Sequence, residues 1–245
     1  MIRKIFCSAA KHTAVFAVVL FLLWLLLFLS ALIPNDMIRD NMEQSALSYK
    51  ERTAFEFTDG KKLNSVADHY ADSIWLNVSW NMGEDSPLIS SIRTNYYDGG
   101  ELGVNAGLYL SVTQGTEPNK DYTRYWHGTV MFIRLGHLIT DVEGVKLIGF
   151  IAFLLLVGLS LFILARKKHW DLAAILALSL AAVQIWNIRL SMEYQPAFIL
   201  AFVLVPLFLI LERRDDKWLT ILSVVSGTAV AFFDFLTTET VTILI

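Results

Sequence analysis

Asp68, His69 and Asp72 put two carboxylates and an imidazole into one short stretch, and Arg124, Tyr125, Trp126, His127 and Arg134 gather cations, rings and a second imidazole in another. A carboxylate within hydrogen-bond reach of a hydroxyl can take its proton as the oxygen attacks. With Asp68 and Asp72 four apart, a helix stacks their side chains one turn above the other. The same spacing also describes a plain solvated helix face. Guanidinium groups bind phosphates through paired hydrogen bonds. Tyr125 and Trp126 suit either stacking on a sugar or anchoring among lipid headgroups. Two carboxylates and an imidazole also fit a divalent ion, but the spacing is common by chance and no metal centre is expected. Asn77-Val78-Ser79 matches a glycosylation acceptor, a triplet frequent by chance.

The elements that must position these residues are apolar. Of 245 residues 55% are hydrophobic, and mean hydropathy is +0.52, beyond what a water-soluble domain carries in unbroken runs. Five such runs cover Ala14–Ile33, Leu147–Ala165, Leu172–Ile188, Ala197–Leu211 and Leu219–Leu236. Most approach the ~20 residues needed to cross a bilayer core. Basic clusters fall on every second connection: Arg3/Lys4/Lys11, Arg166/Lys167/Lys168 and Arg213/Arg214/Lys217. The positive-inside tendency then predicts a multi-pass cell-membrane protein with a cytoplasmic amino terminus and residues 34–146 outside. Arg189 and Asp234 fall at the outer ends of their spans, where they either face one crevice beneath the long loop or snorkel to the headgroups.

Three segments follow: residues 1–33 (amino terminus and first span), 34–146 (extracytoplasmic loop subdomain) and 147–245 (the later spans). The loop holds 16 acidic residues against 10 basic, a balance of −6 within a chain of net charge −3. Ile38, Met42, Ala46 and Tyr49 recur at helical spacing, which predicts either a helix lying on the outer membrane face or an ordinary packed one. Phe57-Thr58-Asp59-Gly60 reads as a turn and Leu63–Asn81 as a helix. The glycine-rich part, Tyr96–Gly115, reads as irregular, and Val130–Ile139 as amphipathic. Gln184, Trp186, Asn187 and Arg189 make the outer end of the third span polar, and Pro206 predicts a kink or tilt in the fourth. Val241–Ile245 reads as the beginning of a sixth span, so a piece of a longer protein is expected.

Several chemistries are excluded. The single cysteine, Cys7, allows no internal disulfide and no cysteine metal site. The first apolar run is longer than the 7–15 residues of a signal peptide, and Ser30-Ala31-Leu32 is a poor cleavage context, so an uncleaved anchor is expected. There is no phosphate-cradling glycine loop, nucleophile elbow or nucleotide fingerprint, and no sign of nucleic-acid binding. The cytoplasmic connections are too short for a nucleotide sugar, so any sugar donor must reach the outer face on a lipid carrier.

Ala71-Asp72-Ser73-Ile74-Trp75-Leu76-Asn77, Arg124-Tyr125-Trp126-His127-Gly128 and Phe233-Asp234-Phe235-Leu236-Thr237-Thr238 together make the chain resemble uncharacterised polytopic proteins of Gram-positive bacteria, themselves similar to the GT-C superfamily of membrane glycosyltransferases. The resemblance implies transfer of sugar from a polyprenyl-phosphate donor to a cell-envelope acceptor at the outer face, by inversion and without a further cofactor. It implies Asp72 as base, Arg124 and His127 on donor phosphate or acceptor, and Asp234 as an organiser of the crevice. The chain departs from the pattern in having Ala71 before Asp72 where relatives carry threonine, and Glu239 where they carry proline. It is also shorter than such enzymes.

The expected fold is therefore an all-α membrane protein of five transmembrane helices, with the start of a sixth and a large helical loop between spans 1 and 2. Asp72 is the expected catalytic residue. Asp68, His69, Arg124, Tyr125, Trp126, His127, Arg134, Arg189 and Asp234 are the expected substrate contacts. Under this reading Asp72→Asn abolishes transfer while expression persists. The rival is a non-catalytic membrane protein whose loop binds lipid or a partner protein. A transporter is a third class, but it calls for paired broken helices and only Pro206 hints at one.

Overall fold

The computed structural model of the chain describes residues 2–60, 65–83, 86–123, 126–211 and 216–233. Helix α1 (Ile2–Ala31) stops at Ser-Ala-Leu-Ile-Pro, where Pro34 cannot continue it. Helix α2 is Asn35–Tyr49, followed by strand β1 (Phe55–Phe57) and strand β2 (Val66–Asp68). Helix α3 (His69–Asn81), a single turn α4 (Pro87–Ser90), β3 (Thr94–Tyr96), α5 (Gly103–Gln114), β4 (Lys120–Tyr122) and α6 (Val130–His137) complete the polar segment. Four apolar helices follow: α7 (Val142–Arg166), α8 (Trp170–Ala182), α9 (Gln195–Leu211) and α10 (Asp216–Phe233).

Among the described residues three helices are long and apolar enough to cross a membrane: Ser8–Ala31, Val142–Arg166 and Asp216–Phe233. Helices α8 and α9 are apolar but have 13 and 17 residues, about 20 and 26 Å against a hydrocarbon core of about 30 Å. The run that reads as a single third span breaks at Gln184, whose backbone is left-handed (φ 55°), and continues as a 3-10 helix over Ile185–Leu190. Helix α7 packs along α8 and α9, and α1 packs along α10, which also touches α9. Phe153 of α7 meets Phe198 and Phe202 of α9 edge to face, at 6.2 and 5.3 Å.

The polar segment has its own core. Ile38, Met42, Ala46 and Tyr49 are fully buried against α3 and α5. Of the two placements open to α2, the packed one holds, and its apolar face is closed to lipid. The fold is nearly all-α; the exceptions among the described residues are two small antiparallel strand pairs, β1 with β2, and β3 with β4, which α5 separates in the chain. The first shortens the helix expected over Leu63–Asn81, of which Leu63 and Asn64 lie outside the described residues. Val66–Asp68 is strand, and Asp68 caps the helix that begins at His69 by accepting from the Ala71 amide at 2.8 Å. The glycine-rich part is also more regular than expected. Helix α5 runs through Gly107, where a Cβ would meet the Tyr97 carbonyl oxygen at 2.8 Å and the Gly99 nitrogen at 2.9 Å. These glycines allow close backbone approach.

The polar segment grips α10 through the Trp126–Thr129 loop. The Gly128 amide donates to the Phe232 carbonyl at 3.2 Å, and the Thr129 hydroxyl to that of Phe233 at 2.8 Å. A Cβ on Gly128 would lie 2.3 and 2.4 Å from Phe232 ring carbons and 2.6 Å from its carbonyl oxygen. Gly128→Ala should therefore destabilise the protein by about 1–3 kcal/mol through overpacking, read as a lower thermal midpoint in detergent; an unchanged midpoint would contradict this account of the junction.

Candidate functional site

Asp72 lies on the first turn of α3 with no exposed surface. One carboxylate oxygen accepts from the Tyr49 hydroxyl at 2.9 Å and pairs with the Lys146 ammonium at 2.9 Å. The other accepts from the Ser191 hydroxyl at 2.8 Å and the Met192 amide at 2.7 Å. Lys146, itself buried, also donates to the Tyr49 oxygen at 2.5 Å and the Leu190 carbonyl at 3.2 Å. Each charge is thus paired and hydrogen-bonded, the condition under which charges persist in an interior. Burial, and next the Asp72 carboxylate, hold the Tyr49 hydroxyl well above the ordinary phenol range, so it stays a neutral donor.

In front of this network lies a cavity of about 600 Å³ lined by Arg52, Glu56, His69, Glu143, Lys146 and Arg189, among others. It opens where the polar segment meets α7 and the 3-10 turn. His69 lies tilted against the Tyr49 ring at 4.9 Å and hydrogen-bonds through Nε2 to Glu56 at 3.1 Å. Its Nδ1 is buried with no partner among the described residues, so the tautomer with the proton on Nε2 leaves no buried donor unsatisfied. Glu143 sits 3.5 Å from Arg52 and 3.7 Å from Lys146. Arg189 is exposed and has no ion-pair or hydrogen-bond partner among the described residues. The cavity therefore offers a guanidinium ready for an anion and a half-exposed carboxylate steadied by an imidazole.

The residues expected from spacing divide among three places. His69, Arg189 and Asp72 come together, Asp72 behind the cavity wall. Asp68 is next to them, its main-chain oxygen 3.3 Å from the Ser191 hydroxyl. It is not stacked on Asp72 within the helix but caps it, and burial raises its carboxyl above the usual range although the Ala71 amide opposes this.

Arg134 is a correction. Its guanidinium is fully buried and donates to the carbonyls of Ser30 (3.0 Å), Ile33 and Ser79 and to the Asn35 side chain (3.1 Å), so none of it reaches a ligand phosphate. Trp126 and His127 do not line the Asp72 cavity either. Trp126 is tilted on Phe232 at 5.4 Å, and His127 is buried beside the backbone of Ser90 and Ser91. Arg124, Tyr125 and Asp234 lie outside the described residues.

Arg52, Glu56, Glu143, Lys146 and Ser191 belong to the site without having stood out by spacing, and Tyr49 stood out only as part of an apolar face. Lys146 carried one usable signal: an ammonium at the mouth of a long apolar run needs a partner. A second cavity of about 610 Å³ lies between α2, α3 and the end of α5, with Arg39, Trp80 and Asn81 in its wall. There Arg39 pairs with Asp36 at 2.9 Å and lies over Trp80, and Asn81 bonds Ser111 at 3.3 Å.

Removing one member of a buried pair orphans the other, at about 3–5 kcal/mol. Asp72→Asn and Lys146→Met should each lower the thermal midpoint strongly, and Asp72→Asn with Lys146→Met should lose much less than the two effects added; strict additivity would show that the pair is not coupled. Burial pushes the His127 imidazole down to about 4 from its ordinary 6.5. The folded form stays neutral where the unfolded one protonates, so stability is full above pH 6.5 and falls as pH drops toward 4, by on the order of 3 kcal/mol. Unfolding measured against pH should show this loss, and His127→Gln should flatten it.

No family model matches this chain, and neither does any curated protein or solved structure.

Proposed function

We propose that the chain acts as a GT-C-like membrane glycosyltransferase, moving a sugar from a polyprenyl-phosphate carrier to a cell-envelope acceptor at the outer face. In this reading the membrane is crossed five times, α8 and α9 serving as short spans, with the amino terminus in the cytoplasm and the polar segment outside. The observation that supports it is the cavity at the seam between polar segment and apolar helices, lined by Arg52, the Glu56–His69 pair and Arg189, which has no ion-pair partner among the described residues. A lipid-borne phosphate approaching from the membrane would find the guanidiniums, and its sugar would fall within reach of a carboxylate.

The chemistry balances with these groups. The acceptor hydroxyl gives its proton to a carboxylate as its oxygen attacks the anomeric carbon. The bond from that carbon to the phosphate oxygen breaks, and the electron pair leaves on polyprenyl phosphate, whose charge the arginines stabilise. The resemblance assigns the base to Asp72. In the described conformation both its oxygens are occupied by four donors, so it takes up a proton only after Lys146 or Ser191 lets go. Glu56 faces the cavity, and we assign it the proton transfer, with Asp72 holding the wall in place. Glu143 is engaged by Arg52 and Lys146.

The test is release of polyprenyl phosphate from short-chain polyprenyl-phosphate hexoses by the full chain in vesicles. Arg189→Ala should raise KM roughly 10- to 100-fold, the worth of a charge-assisted contact. Glu56→Gln should lower kcat by about 10²- to 10⁴-fold with KM little changed. Full kcat in Glu56→Gln returns the base to Asp72, and no release with any hexose sinks the enzymatic reading and favours a lipid-binding role.

A further inference from the structure

The segment from Pro87 to Ile92 is built inside out for water. Its serines face inward: Ser90 is 3% and Ser91 0% exposed. Its large apolar side chains face outward: Leu88 is 52%, Ile89 54% and Ile92 63% exposed. Positions 88, 89 and 92 share one side of a helical turn, so the three side chains form one patch. In water that arrangement gains nothing from burial; in hydrocarbon it is the favourable one.

The height of the segment agrees. Turn α4 packs on α1, and the Ser91 hydroxyl accepts the indole N–H of Trp24 at 3.1 Å. Trp24 lies seven residues before the end of α1, roughly 10 Å along its axis. At that height α1 itself exposes Phe21, Leu22, Leu26 and Leu29. The amides of the second half of the turn are bonded within it, which lowers the cost of placing it in lipid. Ser90 and Ser91 donate their amides to Ser86 and Pro87, Ile92 and Arg93 donate theirs to Ile89, and the Ser91 hydroxyl donates to Leu88. Charge returns at Arg93, whose guanidinium pairs with Asp121 at 2.6 Å.

We infer that residues 87–92 dip into the bilayer beside α1, with Leu88, Ile89 and Ile92 in the acyl-chain region and the Arg93–Asp121 pair at headgroup level. The polar segment is then anchored in lipid at a point away from its own chain connections. The inference needs only that α1 crosses the membrane and is independent of the enzymatic reading.

Single cysteines at Leu88, Ile89 and Ile92, in a Cys7→Ser background, carry a nitroxide in the full chain reconstituted in phosphatidylcholine–phosphatidylglycerol vesicles. Molecular oxygen should relax these labels faster than a water-soluble nickel chelate does. The order should reverse at Glu117, an exposed position after α5. Chelate access at 88, 89 and 92 equal to that at Glu117 would overturn the inference. So would labels shielded from both reagents with spin–spin broadening, which would place a second copy of this chain on the patch.

Discussion

A carboxylate held without any contact to water is the constraint on which the rest of this structure turns. Asp72 is tied to Tyr49 of α2, Lys146 of α7 and the Ser191–Met192 linker before α9. Taking an aspartate and a lysine out of water costs several kcal/mol each, and their attraction offsets this only when geometry and hydrogen bonding are both complete. Such a pair adds little net stability. Its effect is positional, because any shift of the polar segment on the apolar helices leaves a charge orphaned. The cavity in front inherits that rigidity: His69 rests on the Tyr49 ring, Arg189 sits two residues before Ser191, and Lys146 forms part of the wall.

Arg134 performs the matching task at the other side of the segment. The last carbonyls of a helix have no partner within it, and at the end of α1 the Ser30 and Ile33 carbonyls receive the Arg134 guanidinium. A planar fork with several donors suits this work better than an ammonium would. The same residue binds Ser79 near the end of α3 and Asn35 at the start of α2, so one side chain fixes the angle between the first long helix and the core of the polar segment.

Regular patterns were the legible part of the sequence. The buried face of α2 and the amphipathic stretch that becomes α6 follow from periodicity that the fold obeys, and the apolar runs became helices except where the third breaks at Gln184. The start of α3 was not legible, because Val66–Asp68 owes its extended form to β1, a partner that spacing within the segment does not reveal. Gly99 and Gly107 misled for a related reason: a glycine chosen for close contact looks the same as one chosen for flexibility. At the site the aspartates stood out, but a cation does not announce whether it will meet phosphate, a carbonyl or a carboxylate. Arg134 was read as the first and is the second; Lys146 passed unremarked and is the third. The Asp72 bonds reach across 119 residues to Ser191, and no local pattern encodes such a partner.

That reach has a consequence for biogenesis. Synthesis proceeds from the amino terminus, so Asp72 emerges well before Lys146 and long before Ser191 and Met192. Until those arrive the aspartate has no counter-ion and must remain hydrated, and α3 cannot settle against α2 in its final packing. The polar segment is therefore committed to a loose, waiting state while the later apolar helices are made, and it closes only when the linker before α9 is delivered. A ribosome stalled before residue 190 would leave the segment without the bonds that close it around Asp72, and more open to proteases and chaperones.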